Sequence, residues 1–261
     1  MHRLRTLHLF AGAGGGVFAD LLLGHQPICA VEINEYCQQV LSARQADGVL
    51  PWFPIFADVT KFDGRPWNGI ADIVCGGFPC QDISSGGNSS GGKGAGLDGE
   101  RSGLWREMAR IISEVQPRYV LVENSPLLVS RGLATVLADL ASMGFDARWG
   151  VVGASDVGAP HERKRIWIVG YNTHKGYASG AGITTRTSHC PSQRKASQNK
   201  QKGQVWQHEL GAVDVAQRAD SYAGALRVLH GMADRHNRLE ALGNGQVPRV
   251  VAEAWWRMTT P

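Results

Sequence analysis

The chain has 261 residues, a formal net charge of +4, 43% hydrophobic and 19% charged residues, a composition that suits a soluble globular protein able to bury a sizeable core. It is long for one domain and short for two, and no run approaches the ~18 uncharged apolar residues that a membrane helix needs. Its 5 cysteines are odd in number and form no C-x-x-C pair, which argues against a disulfide framework and a structural zinc site and fits a reducing, cytosolic compartment.

The opening, "MHRLRTLHLFAGAGGG", has basic residues before a short apolar run that ends in glycines. It reads as a first strand (5–10) and not as a signal peptide. Residues 14–23 read as a helix, 27–33 as a second strand, and 34–45 as a second helix opened by Asn34 as its cap. Strands follow at 52–58 and 71–77, then an amphipathic helix at 102–115 with Ser102 at its cap. A strand at 118–124, a helix at 130–142 and two strands at 146–152 and 165–171 complete the run. Strands alternating with helices predict an α/β fold with an open, mostly parallel sheet.

After Tyr171 the character changes. Residues 172–204 are rich in Ser, Thr, Gln, Asn, Gly and Lys, with weak periodicity, as in a linker. Apolar periodicity resumes at 205, and "VPRVVAEAWWRM" (247–258) predicts a helix with Pro248 in its first turn. The expected organisation is one larger domain from 1–171 and 236–261, with a small insert at 172–235. Residues 171–220 hold seven Lys or Arg against three Asp or Glu, which equals the net charge of the whole chain. Such an excess suits a polyanionic partner; a solvated loop with surface lysines would give it too.

Three places carry chemistry. "FAGAGGG" (10–16) follows the first strand and opens a helix, where glycines let backbone N–H groups approach a ligand. Glu32 closes the second strand about twenty residues on, where an acid can bind ribose hydroxyls. NAD, FAD and S-adenosylmethionine sites share that logic, and so does a tight turn with no ligand. "GGFPCQDIS" (76–84) puts Cys80 past a strand end, after a stiffening proline and before polar residues. Cys29, Cys37 and Cys75 lie inside predicted elements and read as small core residues. Cys80 instead sits at the carboxyl edge, where open α/β sheets bind ligands, and reads as a nucleophile needing partners. "VLVENSP" (120–126) offers Glu123 and Asn124 at the same edge. "HERKRIW" (161–167) offers Arg163 and Arg165, which alternation would put on one side of an extended segment.

In order, the chain shows F-x-G-x-G-G, G-F-P-C-Q, E-N, R-x-R and a late "LGNGQVP" (242–248). This set resembles the C5-cytosine DNA methyltransferase family, of bacterial or phage type, over residues 5–171 and 236–257. The resemblance implies the methyltransferase-type sheet, ending in an antiparallel pair, with the late helix packed beside the first motif. It implies S-adenosylmethionine as methyl donor, no metal, and duplex DNA as substrate. Phe10, Gly12 and Gly14 match the first cofactor motif, Glu32 the acid that binds the ribose, and Asp58 the acid near the adenine amino group. Asn244 matches the late motif that closes the methionine side. Cys80 matches the nucleophile that adds to C6 of a flipped-out cytosine. Glu123 matches the residue on N3 and the exocyclic amine, Arg165 the group facing O2, and Arg163 a helper near the nucleophile and backbone phosphate. The glycine-rich stretch 85–103 reads as a lid or a loop, and 172–235 as a target-recognition region.

The R-x-R segment departs from the family pattern in having His161 where glutamine is common, and the late motif reads G-N-G where G-N-S is commoner. The expectation is a monomeric cytoplasmic DNA (cytosine-5-)-methyltransferase from a bacterium or phage, without regulatory extension, with or without a cognate restriction endonuclease. Three rivals share parts of the pattern. An RNA (tRNA) cytosine-5 methyltransferase would carry a different recognition tripeptide, a non-catalytic DNA-binding relative would not need Cys80, Glu123 and Arg165, and an NAD-dependent reductase leaves G-F-P-C-Q unexplained.

Overall fold

Among the described residues, seven strands form a sheet in the order β3-β2-β1-β4-β5-β7-β6. The structure, a computed structural model, describes residues 3–79, 103–175, 237, 241 and 243–260. All of these belong to one unit of the chain, 1–175 with 231–261. Cys80, residues 85–102 and residues 176–235 lie outside the described residues.

The strands are β1 (Arg5–Leu9), β2 (Gln26–Val31), β3 (Ile55–Phe56), β4 (Ile73–Gly77), β5 (Tyr119–Asn124), β6 (Phe145–Val152) and β7 (Arg165–Asn172). The first five run parallel. β7 runs antiparallel to both β5 and β6, the antiparallel ending that the family resemblance implies. The helices described in full are α1 (Gly15–Leu23), α2 (Glu35–Ala46), α3 (Gly103–Val115), the single turn α4 (Leu128–Arg131), α5 (Leu133–Ser142) and α6 (Pro248–Thr259).

Side-chain alternation along the strands divides the core. Leu7, Leu9, Val74, Val120 and Val122 face one side, where Met108, Ile111 and Ile112 of α3 and Val136 and Leu140 of α5 cover them. Ile73, Cys75, Tyr119 and Leu121 face the other, covered by Ala19 of α1 and by Val250, Val251, Ala254 and Trp255 of α6. Both faces of β5 are therefore buried, which is why its sequence is a continuous apolar run. Helix α6 packs against α1, beside the first glycine motif, although more than 200 residues separate them.

Local chemistry sets the element ends. The side chain of Asn34 accepts the N–H of Cys37 at 3.2 Å and starts α2. Gly24, at φ 72°, ends α1 in the left-handed conformation. Two expectations change. The strand at 52–58 shrinks to Ile55–Phe56, because Pro51 and Pro54 donate no ladder hydrogen bond; Pro54 contributes only its carbonyl, to Ala30 N. The helix at 130–142 begins earlier and breaks at Gly132 into α4 and α5.

Candidate active site

β1 is flanked by β2 on one side and β4 on the other, so the chain reverses its direction of travel across the sheet between β1 and β4. The carboxyl ends of such neighbours form the crevice in which open α/β sheets take ligands. Two loops leave this edge side by side, Phe10–Gly14 after β1 and Phe78–Pro79 after β4, with Leu9 paired to Gly76 beneath them.

The first loop is held in a conformation that glycine suits. Phe10, Gly12 and Gly14 have φ of 54°, 54° and 95°, and Gly14 caps α1 with no side-chain hydrogen bond. A Cβ on Gly14 would stand 2.8 Å from Leu41 Cδ2. Glu32 is buried and ties this loop to β2: Oε2 accepts Gly12 N at 2.6 Å and Oε1 accepts Asn34 N at 2.8 Å. Each oxygen keeps a second lone pair for another donor. Asp58, past the end of β3, accepts the backbone N–H and the hydroxyl of Thr60 and pairs with Lys61 at 3.2 Å. The Thr60 hydrogen bonds hold its carboxyl below the usual range. Phe10, Gly12, Gly14, Glu32 and Asp58 thus line the carboxyl ends of three adjacent strands. Ile33, next to Glu32, is 76% exposed. Glycine backbone, two carboxylates and an open apolar side chain fit a nucleoside-bearing cofactor.

The second half of the edge is built on β5. Glu123 is buried, and its Oε1 lies 2.9 Å from Arg165 Nε. Burial pushes the Glu123 carboxyl above its usual range, against the opposing charges of Arg165 and Arg163 and a hydrogen bond from Gln246. Gly77 is the register partner of Glu123, and a Cβ there would stand 2.3 Å from Glu123 Oε2. Asn124 is buried, donates to the Phe78 carbonyl at 3.0 Å and accepts Ser125 N at 2.7 Å. It therefore fixes the loop that runs through buried Phe78 to exposed Pro79, the residue before Cys80.

The two arginines do not share one strand face as alternation suggested. β7 begins at Arg165, and Arg163 lies ahead of it with φ 30°. Its guanidinium donates to the carbonyls of Gly243 at 2.5 Å and Gly245 at 2.6 Å. Arg163 thus holds the late motif, while still close enough to act on Glu123. Asn244 is exposed between those two glycines.

Cys29, Cys37 and Cys75 are all buried, in keeping with their core assignment. Burial pushes the Cys29 thiol up to about 12 and raises Cys75, which leaves both as neutral thiols.

Two features escaped sequence reasoning. Gln246 reaches Glu123 from the late motif; the only trace is the glutamine that follows G-N-G. On the α1–α6 side of the sheet, Asp20 Oδ2 bonds His8 Nε2 at 2.6 Å and the Thr6 hydroxyl, with His25 Nδ1 3.6 Å from Oδ1. Burial disfavours charge on His8, but the Cys75 sulfur and the Asp20 carboxylate raise its pKa well above the usual value. The Cys75 thiol is neutral, so Asp20 is the anion that holds the proton. A cavity beside this cluster, lined also by Gln246 and Trp255, has room for about one water. Thr6 and His8 are polar members of the apolar run 5–10, and they are buried on the side of the sheet that α1 and α6 cover.

The fold and its edge define a methyltransferase-type α/β domain. The profile of the C-5 cytosine-specific DNA methylase family matches residues 4–243, and the chain belongs to that family. It is 35% identical over 162 residues to the type II methyltransferase M.CviJI of Paramecium bursaria Chlorella virus IL3A, covering 62% of this chain and 41% of that protein. With M.DsaV of Dactylococcopsis salina the identity is 31% over 175 residues, covering 65% and 46%. The chain thus spans less than half the length of these relatives. Among solved structures, a DNA modification methyltransferase encoded within an Escherichia coli prophage superposes with a TM-score of 0.52 at 24% identity, over 66% of this chain and 47% of that one. S. pombe Dnmt2 gives 0.51 at 20%, over 67% and 51%. Both likenesses are of fold. Among the described residues no helix is long and apolar enough to cross a membrane.

Proposed function

We propose that this chain transfers a methyl group from S-adenosylmethionine to C5 of a cytosine in duplex DNA, through a covalent adduct with Cys80. The observation that carries this reading is Glu123: a buried carboxyl with a raised pKa, paired with Arg165, on the strand whose next residue pins the loop leading to Cys80. A carboxyl that keeps its proton beyond the ordinary range suits a partner for cytosine N3.

Cytosine C5 is a poor nucleophile because the ring is electron-poor. Addition of the Cys80 thiolate to C6, with a proton shared between Glu123 and N3, turns C5 into an enamine carbon. When bound, the cofactor would supply an electrophilic sulfonium methyl, which C5 would take as the S–CH3 bond breaks and the neutral thioether departs. Loss of the C5 proton to a base and departure of the Cys80 thiolate then restore the aromatic ring. Arg165, beside Glu123, suits the cytosine O2, and a cationic guanidinium favours thiolate over thiol. The Phe10–Gly14 backbone, Glu32 and Asp58 suit the cofactor, with Ile33 offering an apolar surface for its planar ring, and Asn244 closes the methionine side. The reacting carbon is inaccessible in a stacked duplex, so the base must flip out. Residues 172–235 would read the target sequence, in a cytoplasmic enzyme with or without a cognate endonuclease.

Bisulfite sequencing of DNA from cells expressing the protein tests this reading and gives the target sequence. Methylated cytosine in one sequence context is expected. Label transfer from S-adenosylmethionine to tRNA and not to duplex DNA would reject the substrate. Cys80→Ser should abolish turnover and the stable adduct with DNA carrying 5-fluorocytosine, while cofactor binding persists.

A further inference from the structure

Three glycines make room for one residue, Gln246: Gly15 for its backbone, Gly16 and Gly77 for its side chain. A Cβ on Gly15 would stand 2.2 Å from the Gln246 carbonyl oxygen, one on Gly16 2.7 Å from Gln246 Oε1, and one on Gly77 3.2 Å from Gln246 Nε2. Gly15 and Gly16 open α1, behind the first cofactor motif, and Gly77 ends β4 opposite Glu123. Gln246 therefore lies between the helix end at the donor site and the carboxylate at the base site.

Its backbone is anchored independently of its side chain. Gly245 N donates to Ala241 O at 2.9 Å, and Arg163 grips the carbonyls of Gly243 and Gly245. From this fixed point Nε2 donates to Glu123 Oε2 at 3.5 Å, while Arg165 holds Oε1 at 2.9 Å. The two carboxylate oxygens thus meet different partners, a guanidinium and a neutral amide. A second cation on Oε2 would favour a permanently ionised carboxylate. An amide orients the group and still lets it carry a proton. At 3.5 Å the contact is near the outer limit of hydrogen-bond range, so it guides the carboxylate plane without locking it.

We infer that Gln246 is a positioning residue for Glu123, fixing the plane in which that carboxyl meets the cytosine and linking it to the α1 end of the donor site. This rests on the reading of Glu123 as the group that binds cytosine N3. The charged and polar groups acting on Glu123 are Arg165 and Arg163 from the β7 side and Gln246 from the late motif.

The test uses the full chain, S-adenosylmethionine and a duplex carrying the sequence found by bisulfite mapping. Gln246→Met keeps the length and removes the donor; Gln246→Asn keeps an amide that is too short. In single-turnover methyl transfer both should be slower by roughly tenfold, about the equivalent of one hydrogen bond. S-adenosylmethionine affinity should stay within about twofold, the margin for a residue that does not itself bind the donor. The limb of the pH profile due to Glu123 should move to higher pH, because a donor to its ionised form is gone. Gln246→Met should weaken duplex binding when Glu123 is present and cause no further loss of duplex affinity in a Glu123→Gln background. Unfolding midpoints for all variants separate a folding defect from these effects. A Gln246→Met enzyme that folds and keeps the wild-type rate and pH profile overturns the role, as does a loss that is unchanged when Glu123 is Gln. Absence of methyl transfer by the wild type would overturn the functional reading first, and this role with it.

Discussion

Arg165 Nε lies 2.9 Å from Glu123 Oε1 across the antiparallel joint between β5 and β7. One strand brings the acid to the carboxyl edge of the sheet and the reversed neighbour brings the cation to the same edge. Arg165 is the foremost charge opposing the rise that burial imposes on Glu123. Arg165→Leu should lower kcat/KM by on the order of 10²–10³, as for loss of one donor in a preorganised site. It should also shift the Glu123 limb of the pH profile upward. Rates measured across pH check both. An unshifted limb would mean that the pair does not set the protonation of Glu123.

Asn124 anchors the loop that leads into Cys80. Asn124→Ala leaves the Phe78 carbonyl without its 3.0 Å donor. A buried carbonyl left unpaired costs about 1–3 kcal/mol, readable as a lower urea midpoint. The Phe78–Pro79 segment then loses its fixed position, so methyl transfer should fall further than stability does, with cofactor affinity retained. Equal losses in both would make Asn124 a residue of stability alone.

Glu32 accepts two backbone N–H groups, so it shapes the glycine loop, and in the proposed function it also faces the cofactor. Glu32→Ala should weaken S-adenosylmethionine binding by about 1.5–3 kcal/mol, the range for hydrogen bonds to a charged group, and should also lower the melting temperature. Glu32→Gln keeps one acceptor and should recover part of both. Calorimetry with an unchanged affinity would leave Glu32 a purely structural acid.

Much of this arrangement was legible in the sequence, because its signals are local. Asn34 before an apolar period gave a helix start, Pro248 in a first turn gave α6, and alternating elements gave the parallel sheet. The order of the motifs brought Glu32, Glu123 and Arg165 to one edge, since each closes or opens a strand. What stayed hidden depends on contacts across the fold. Nothing near position 246 signals that its side chain spans from α1 to β5. The R-x-R spacing implied an extended segment, yet Arg163 adopts a positive φ to reach the carbonyls of Gly243 and Gly245. The sequence does not show that His8 and Asp20 meet, because they are buried together only where α6 returns from the far end of the chain.

Gly77 has a role that its glycine neighbours in the sequence conceal. A Cβ there would sit 2.3 Å from Glu123 Oε2, the far end of a side chain that Arg165 holds from the other oxygen. Gly77→Ala should therefore fold but displace the carboxyl. Methyl transfer is expected to fall by on the order of 10²-fold, the cost of about 1 Å of misplacement, with the melting temperature lowered only slightly. A fully active Gly77→Ala enzyme would show that Glu123 has freedom this packing denies it.

The pair of His8 and Asp20 should give the fold a pH signature. Burial works against charge on Asp20, but His8, His25 and Thr6 hold its pKa below the ordinary value. A depressed acid stabilises the fold above its unfolded pKa of about 3.9, and that contribution is lost as pH falls toward the native value. His8 has the opposite sign. Its raised pKa stabilises the fold fully below about 6.5, and the contribution fades as pH rises through the native value. Together they place the pair's greatest contribution between about pH 4 and 6.5. Asp20→Asn leaves His8 buried without its anion, so stability at pH 6 should drop by about 3–5 kcal/mol. The decline in stability above about pH 6.5 should flatten, because His8 is then neutral in the fold at every such pH. Replacing both residues by leucine should cost far less than Asp20→Asn, since no buried charge is left unpaired. Urea unfolding from pH 4 to 9 for the three proteins checks the sign and the order, and an Asp20→Asn protein with the wild-type slope would show that the pair is not ionised.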